Sequence, residues 1–222
     1  LIQFNELEGS GGKLDWVFTK VQCMHCEHPA CVSACPVTAL HKLESGPVVY
    51  EAERCIGCRY CMVACPFQVP KVEWNRMLPE IKKCNMCADR LERGLEPACV
   101  KACPTGALTF GERDDLVAEA EQRISSRPDR YVDRIYGQHE AGGTSWLYLS
   151  PVPFSELTDT TGRVRLPDLD AEPIPALSEA MAAYGTTGVL VGVTALLAGA
   201  YWITRRRMEG PPGSGASEEE EG

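Results

Sequence analysis

Twelve cysteines stand between Cys23 and Cys103, and none follows. They form three quartets: Cys23, Cys26, Cys31 and Cys35 in CMHCEHPACVSACP; Cys55, Cys58, Cys61 and Cys65 in CIGCRYCMVACP; and Cys84, Cys87, Cys99 and Cys103 in CNMC…CVKACP. Each opens with CxxC and closes with CxxxCP. Short cysteine loops leave too little continuous apolar periodicity for a large conventional core, so bound metal must supply much of the folding free energy. Disulfide frameworks serve very small secreted domains and need no such regular clustering. Zinc ribbons also use paired CxxC, but they do not require triplets that end in CxxxCP. Thioredoxin-type redox chemistry would need a βαβ context that is missing here.

Charge follows the same division. The net charge is −9, yet residues 20–110 hold eleven Lys and Arg against nine Asp and Glu, leaving −11 for the rest. A slightly basic region rich in thiolates suits an anionic metal centre. Basic residues neither cluster nor interleave with aromatics, which argues against nucleic-acid binding.

Along the chain, residues 1–22 read as a hairpin, two short apolar stretches around a Gly-Ser-Gly-Gly turn. Residues 23–110 are the cysteine region, and 111–154 a helix-and-strand extension. Within the extension, RDDLVAEAEQRISSR predicts a helix with Leu116, Val117, Ala120 and Ile124 on one face and Pro128 beyond its end. Residues 155–180 read as a linker rich in Pro, Asp and Thr. Residues 181–204 carry no charge and are long enough to cross a hydrocarbon core of about 30 Å. Tyr184, Tyr201 and Trp202 suit the membrane interfaces, and Arg205, Arg206 and Arg207 follow at once. Residues 205–222 then read as a cytoplasmic, disordered acidic tail. Leu1 is preceded by no Met or signal-type segment, so the expectation is a fragment whose N-terminal part is missing.

The second quartet reproduces the bacterial ferredoxin run C-x2-C-x2-C-x3-C-P, while the first and third carry insertions between their second and third cysteines. In that run three cysteines grip one cubane cluster and the fourth reaches a neighbouring one. The fourth is expected to start a helix, with proline in its first turn. His25 and His28 lie inside the first loop, but no cysteine is missing for them to replace, so they read as neighbours of the site. Trp74 reads as a core residue. GxSxG, Walker A and GxGxxG motifs are absent from the sequence, as is any His–carboxylate constellation, so the chain is expected to be non-catalytic.

CMHCEHPACVSACPVTAL, CIGCRYCMVACPFQVPK and KCNMCADRLERGLEPACVKACPTGAL resemble the four-cluster iron–sulfur subunits of membrane-bound respiratory oxidoreductases. The likeness covers about residues 1–150. CRYCMVACPF and GGTSWLYLSPVPF, with the single C-terminal membrane helix, resemble the nickel–iron hydrogenase type most, with the formate dehydrogenase-N beta subunit close by. The resemblance implies an α+β fold: ferredoxin-like [4Fe–4S] cluster domains followed by one C-terminal transmembrane helix. It implies one cluster on Cys23, Cys26, Cys31 and Cys65, and a second on Cys55, Cys58, Cys61 and Cys35. Cys84, Cys87 and Cys99 would belong to a third and Cys103 to a fourth, both incomplete here. Four clusters are thus expected in the full-length protein, with the missing quartet upstream of Leu1.

The implied partners are a catalytic subunit of nickel–iron hydrogenase or molybdopterin type and an integral membrane cytochrome or other quinone-reactive subunit. The implied location is the inner (cytoplasmic) membrane, single-pass, with the clusters periplasmic and the C-terminus cytoplasmic. Alternatives are the same relay in a formate dehydrogenase or other molybdopterin oxidoreductase, or a free-standing ferredoxin-type carrier.

Overall fold

A computed structural model describes residues 2–8, 14–75, 80–159 and 161–209, with the side chains of 176–187 and 209 outside the description. The glycine-rich turn at 9–12, the interfacial placement of Tyr184 and the acidic tail beyond 209 therefore lie outside the described residues. The chain divides into two units, Leu1–Ala176 and Leu177–Gly222.

Three antiparallel hairpins organise the first unit. Strands β1 (Ile2–Glu8) and β2 (Leu14–Lys20) pair from Ile2↔Lys20 to Glu8↔Leu14. The period of two puts Asn5, Val17 and Thr19 on the buried face, while Phe4, Trp16 and Phe18 stack on the exposed one. After the one-turn helix α1 (Ala30–Ser33), strands β3 (Leu40–Lys42) and β4 (Val48–Tyr50) are joined by a turn. Its Gly46 sits at φ +102°, where a side chain would be strained. Helix α2 (Tyr60–Ala64) precedes the short pair β5 (Lys71–Val72) and β6 (Ile81–Lys82). Two further short helices, α3 (Ala88–Leu91) and α4 (Ala98–Lys101), lead to α5 (Arg113–Ser126). Asp114 and Asp115 occupy the first turn of α5, where negative charge suits the helix dipole.

Two apolar clusters hold the unit together. Leu40, Cys61, Val72 and Ile81 pack beside Cys31, Cys35 and Cys55. Val17, Met24, Phe67, Tyr136, Phe154, Leu157 and Leu166 form the other, with Cys26 and Cys65 against it. Membership of Leu157 and Leu166 departs from the linker reading of 155–180. Both leucines are nearly inaccessible, and the Tyr136 hydroxyl donates to the Pro167 carbonyl at 2.7 Å. Isolated apolar residues pin a segment that has no periodicity of its own.

Helix α6 (Ile174–Glu209) is about 54 Å long by its rise per residue. Gly188–Met208 is long and apolar enough to cross a membrane, and its window is 0% buried. The Thr194 hydroxyl donates to the Leu190 and Val191 carbonyls, and Thr204 to Ala200, so these polar groups are satisfied inside the helix. Arg206 stacks over Trp202 at 3.9 Å.

Candidate metal centre

Each CxxC loop is built on the same backbone device. The residue before the second cysteine adopts a left-handed conformation: His25 (φ +47°), Gly57 (φ +70°) and Met86 (φ +54°). This turns its N–H back onto the first cysteine of the loop. Gly57 N–H donates to Cys55 Sγ at 3.4 Å and Met86 N–H to Cys84 Sγ at 3.3 Å. The His25 N–H does the same for Cys23. Backbone N–H groups presented in such a bend favour an anion.

A second device recurs after each CxxxCP. Thr38, Gln68 and Gly106, each three residues past the closing cysteine, are left-handed and return their N–H to that cysteine's carbonyl. The left-handed positions were not legible in the sequence, because only Gly57 and Gly106 announce a positive φ by residue type.

The short helices also differ from expectation. Cys31, Cys61 and Cys99 each occupy the second position of α1, α2 and α4, and Cys35, Cys65 and Cys103 stand at or just past the C-terminal ends. The fourth cysteine therefore ends a helix instead of starting one. Pro36, Pro66 and Pro104 follow the helix ends, where proline stops further winding. One turn separates the third thiol from the fourth by about 6 Å of rise, so the two can face different neighbours.

The thiols converge in two crossed groups. Cys26 is crowded by Cys23, Cys65 and Cys31, and Cys31 by Cys23, Cys65 and Cys61, so the last cysteine of the second quartet lies among the first three of the first. Cys61 is crowded by Cys35, Cys55 and Cys58, the reciprocal exchange. Burial is the main cause that raises the Cys23, Cys26 and Cys65 thiols, pushes Cys31 up to about 12 and Cys61 up to about 11. Neighbouring thiols add to this at Cys26, Cys31 and Cys61. Four crowded, desolvated thiols give up their protons readily only to a metal cation.

Cys35, Cys55, Cys58 and Cys61 line one pocket, partly open to solvent, with Val37, Ala39, Leu40, Ile56 and Ile81 completing its walls. Among the described residues no three His, Cys, Asp or Glu side chains close on a point as a single ion would need. Four thiols around an apolar void suit a polynuclear [4Fe–4S] group. Of the third quartet, Cys84 lies within electrostatic reach of Cys23, Cys87 precedes α3, and Thr105 stands 3.5 Å from Cys103 Sγ. The Thr105 hydroxyl and the Leu108 N–H hold the Cys103 thiol down to about 7.

His25 is inaccessible, and its Nδ1 accepts the Val48 N–H at 2.9 Å, which puts the imidazole proton on Nε2. His28 is exposed. Trp74, read as a core residue, is also exposed, with the Arg59 guanidinium 4.1 Å over its ring. The first loop is clasped from the far end of the unit. Ser145 Oγ donates to His25 O at 2.8 Å, Glu27 N–H to Gly143 O at 2.9 Å, and Thr144 bridges to Cys26.

Fold and thiol geometry together define an iron–sulfur protein of the two-cluster class, and residues 14–113 match the 4Fe-4S dicluster domain. A protein of Nitratidesulfovibrio vulgaris is 47% identical over 195 residues, covering 86% of this chain and 50% of that protein. The hydrogenase-2 operon protein HybA of Escherichia coli O157:H7 is 36% identical over 231 residues, 92% of this chain and 68% of HybA. The iron–sulfur subunit of the nitrate-inducible formate dehydrogenase of Escherichia coli K12 is 41% identical over 152 residues, 67% of this chain and 51% of that subunit. The chain belongs to the [4Fe–4S] iron–sulfur subunit family that these hydrogenase and formate dehydrogenase relatives represent. It spans about half the length of the first and third of them.

Proposed function

We propose that the chain relays single electrons through two adjacent [4Fe–4S] clusters, as the non-catalytic subunit of a membrane-attached oxidoreductase. Cys23, Cys26, Cys31 and Cys65 hold one cluster, and Cys55, Cys58, Cys61 and Cys35 the other. The exchange of Cys65 and Cys35 between quartets carries this reading, because it brings the two thiol groups side by side. When bound, each cluster supplies reversible one-electron chemistry. The protein's own residues fix the thiolates, exclude water with Leu40, Phe67 and Ile81, and aim the loop N–H groups at sulfur.

The catalytic partner is a hydrogenase subunit, in keeping with HybA, and the electron acceptor a quinone-reactive membrane cytochrome. A formate dehydrogenase partner is the second reading, favoured by the 41% identity to that iron–sulfur subunit. Helix α6 anchors the complex, an element that a diffusing carrier does not need. Arg205, Arg206 and Arg207 support a cytoplasmic C-terminal end and periplasmic clusters, by the excess of positive charge on cytoplasmic flanks.

Replacing Cys65 with Ser in the native complex tests the crossed ligation by paramagnetic resonance. The signal of the cluster on Cys23, Cys26 and Cys31 should change or vanish, while that on Cys55, Cys58 and Cys61 persists. Selective loss of the latter would overturn the crossed assignment. Reduction of both clusters by hydrogen and not by formate identifies the hydrogenase partner, and the reverse result identifies the other.

A further inference from the structure

Lys83 stands where two thiol sites meet. Its ammonium lies 4.0 Å from Cys23 Sγ and donates to the carbonyls of Cys84, at 3.0 Å, and Val48. Cys84, the next residue, opens the third quartet, and its thiol is within electrostatic reach of Cys23. Among the described residues no carboxylate pairs with Lys83, although the side chain is half-buried. A partly desolvated ammonium without a counter-charge is costly unless something anionic faces it. Its charge also bears on Cys31, Cys65 and His25, so it acts on the whole first thiol group. Val48, whose carbonyl takes the ammonium, gives its N–H to His25 Nδ1, which fixes both side chains around Cys23.

We propose that Lys83 is a positioning residue that sets the reduction potential of the cluster on Cys23, Cys26, Cys31 and Cys65 and couples that site to the one opened by Cys84. The inference rests on the electron-transfer reading above. Uptake of one electron adds one negative charge beside Cys23. A fixed positive charge bonded to that thiolate stabilises the reduced form more than the oxidised one. The same ammonium bonds the Cys84 carbonyl, giving a path of two non-covalent contacts from one thiol site to the backbone of the next.

Redox titration of the native membrane complex, monitored by paramagnetic resonance, tests this with Lys83→Met, Lys83→Gln and Lys83→Arg. The Met and Gln variants should shift one midpoint, that of the cluster lost in a Cys23→Ser control, to more negative potential. Lys83→Arg should restore most of the shift. Unchanged midpoints in Met and Gln variants with full iron content would overturn the inference, as would an equal shift in the Arg variant. Loss of iron from Met and Gln but not Arg would assign Lys83 to assembly and also overturn it. Absence of cluster signals from the wild type would instead remove the electron-transfer reading.

Discussion

His25, Gly57 and Met86 share no side-chain chemistry, yet each holds the same left-handed backbone and turns its N–H toward a cysteine sulfur. For the two non-glycine residues that conformation costs roughly 1 kcal/mol each, a strain the surrounding site must offset. Gly137 shows the same logic at a distance from sulfur. It sits at φ +95°, and a Cβ there would lie 2.4 Å from the Trp146 carbonyl and 2.5 Å from Thr144 Oγ1. Thr144 bridges to Cys26, so the damage would reach the first thiol group. Gly137→Ala should destabilise the unit by about 3 kcal/mol, combining strain and overpacking. Thermal melting under anaerobic conditions should show a midpoint roughly 10 °C lower, with earlier iron release. An unchanged midpoint would mean that the 137–146 turn can shift without disturbing Cys26.

Helices α1, α2 and α4 are only one turn long, too short to form alone in water. Their existence was not legible from periodicity, which needs a longer window; only the CxxxCP spacing marked them, and it suggested the wrong end. Helix α5 was legible because fourteen residues carry a full apolar face. The brevity of α2 makes its register decisive. Inserting one alanine after Val63 would rotate Cys65 by about 100° and move it about 1.5 Å relative to Cys61. The expected result is loss of the cluster on Cys23, Cys26 and Cys31 with retention of the one on Cys55, Cys58 and Cys61. An alanine inserted between Glu44 and Ser45, in the turn beyond β3, should leave both resonance signals intact. Loss of both clusters from the α2 insertion, with both retained in the turn insertion, would show that α2 does not act as an independent spacer.

Across the whole molecule, the cysteine groups were legible because their spacing is local, whereas the proposed pairing came from the family resemblance. The clasp was not legible. Ser145 reaches His25 and Asn5 reaches Thr158 across more than a hundred residues, through a few hydrogen bonds in segments without period. The proposed crossed pairing would also fix a stoichiometry. Under it the first two quartets complete two sites, whereas Cys84, Cys87 and Cys99 would supply three thiolates to one position and Cys103 a single thiolate to another. A site with three thiolates binds a cubane less firmly than one with four, and a site with one does not hold it. These 222 residues, reconstituted anaerobically in mild detergent, should therefore retain about eight irons per chain after gel filtration, two complete clusters. Replacing Cys84 and Cys103 together with Ser should leave that number unchanged. Sixteen stably bound irons, or a fall to about four in the double variant, would show that the third quartet completes a site within this chain and that the crossed pairing is incorrect.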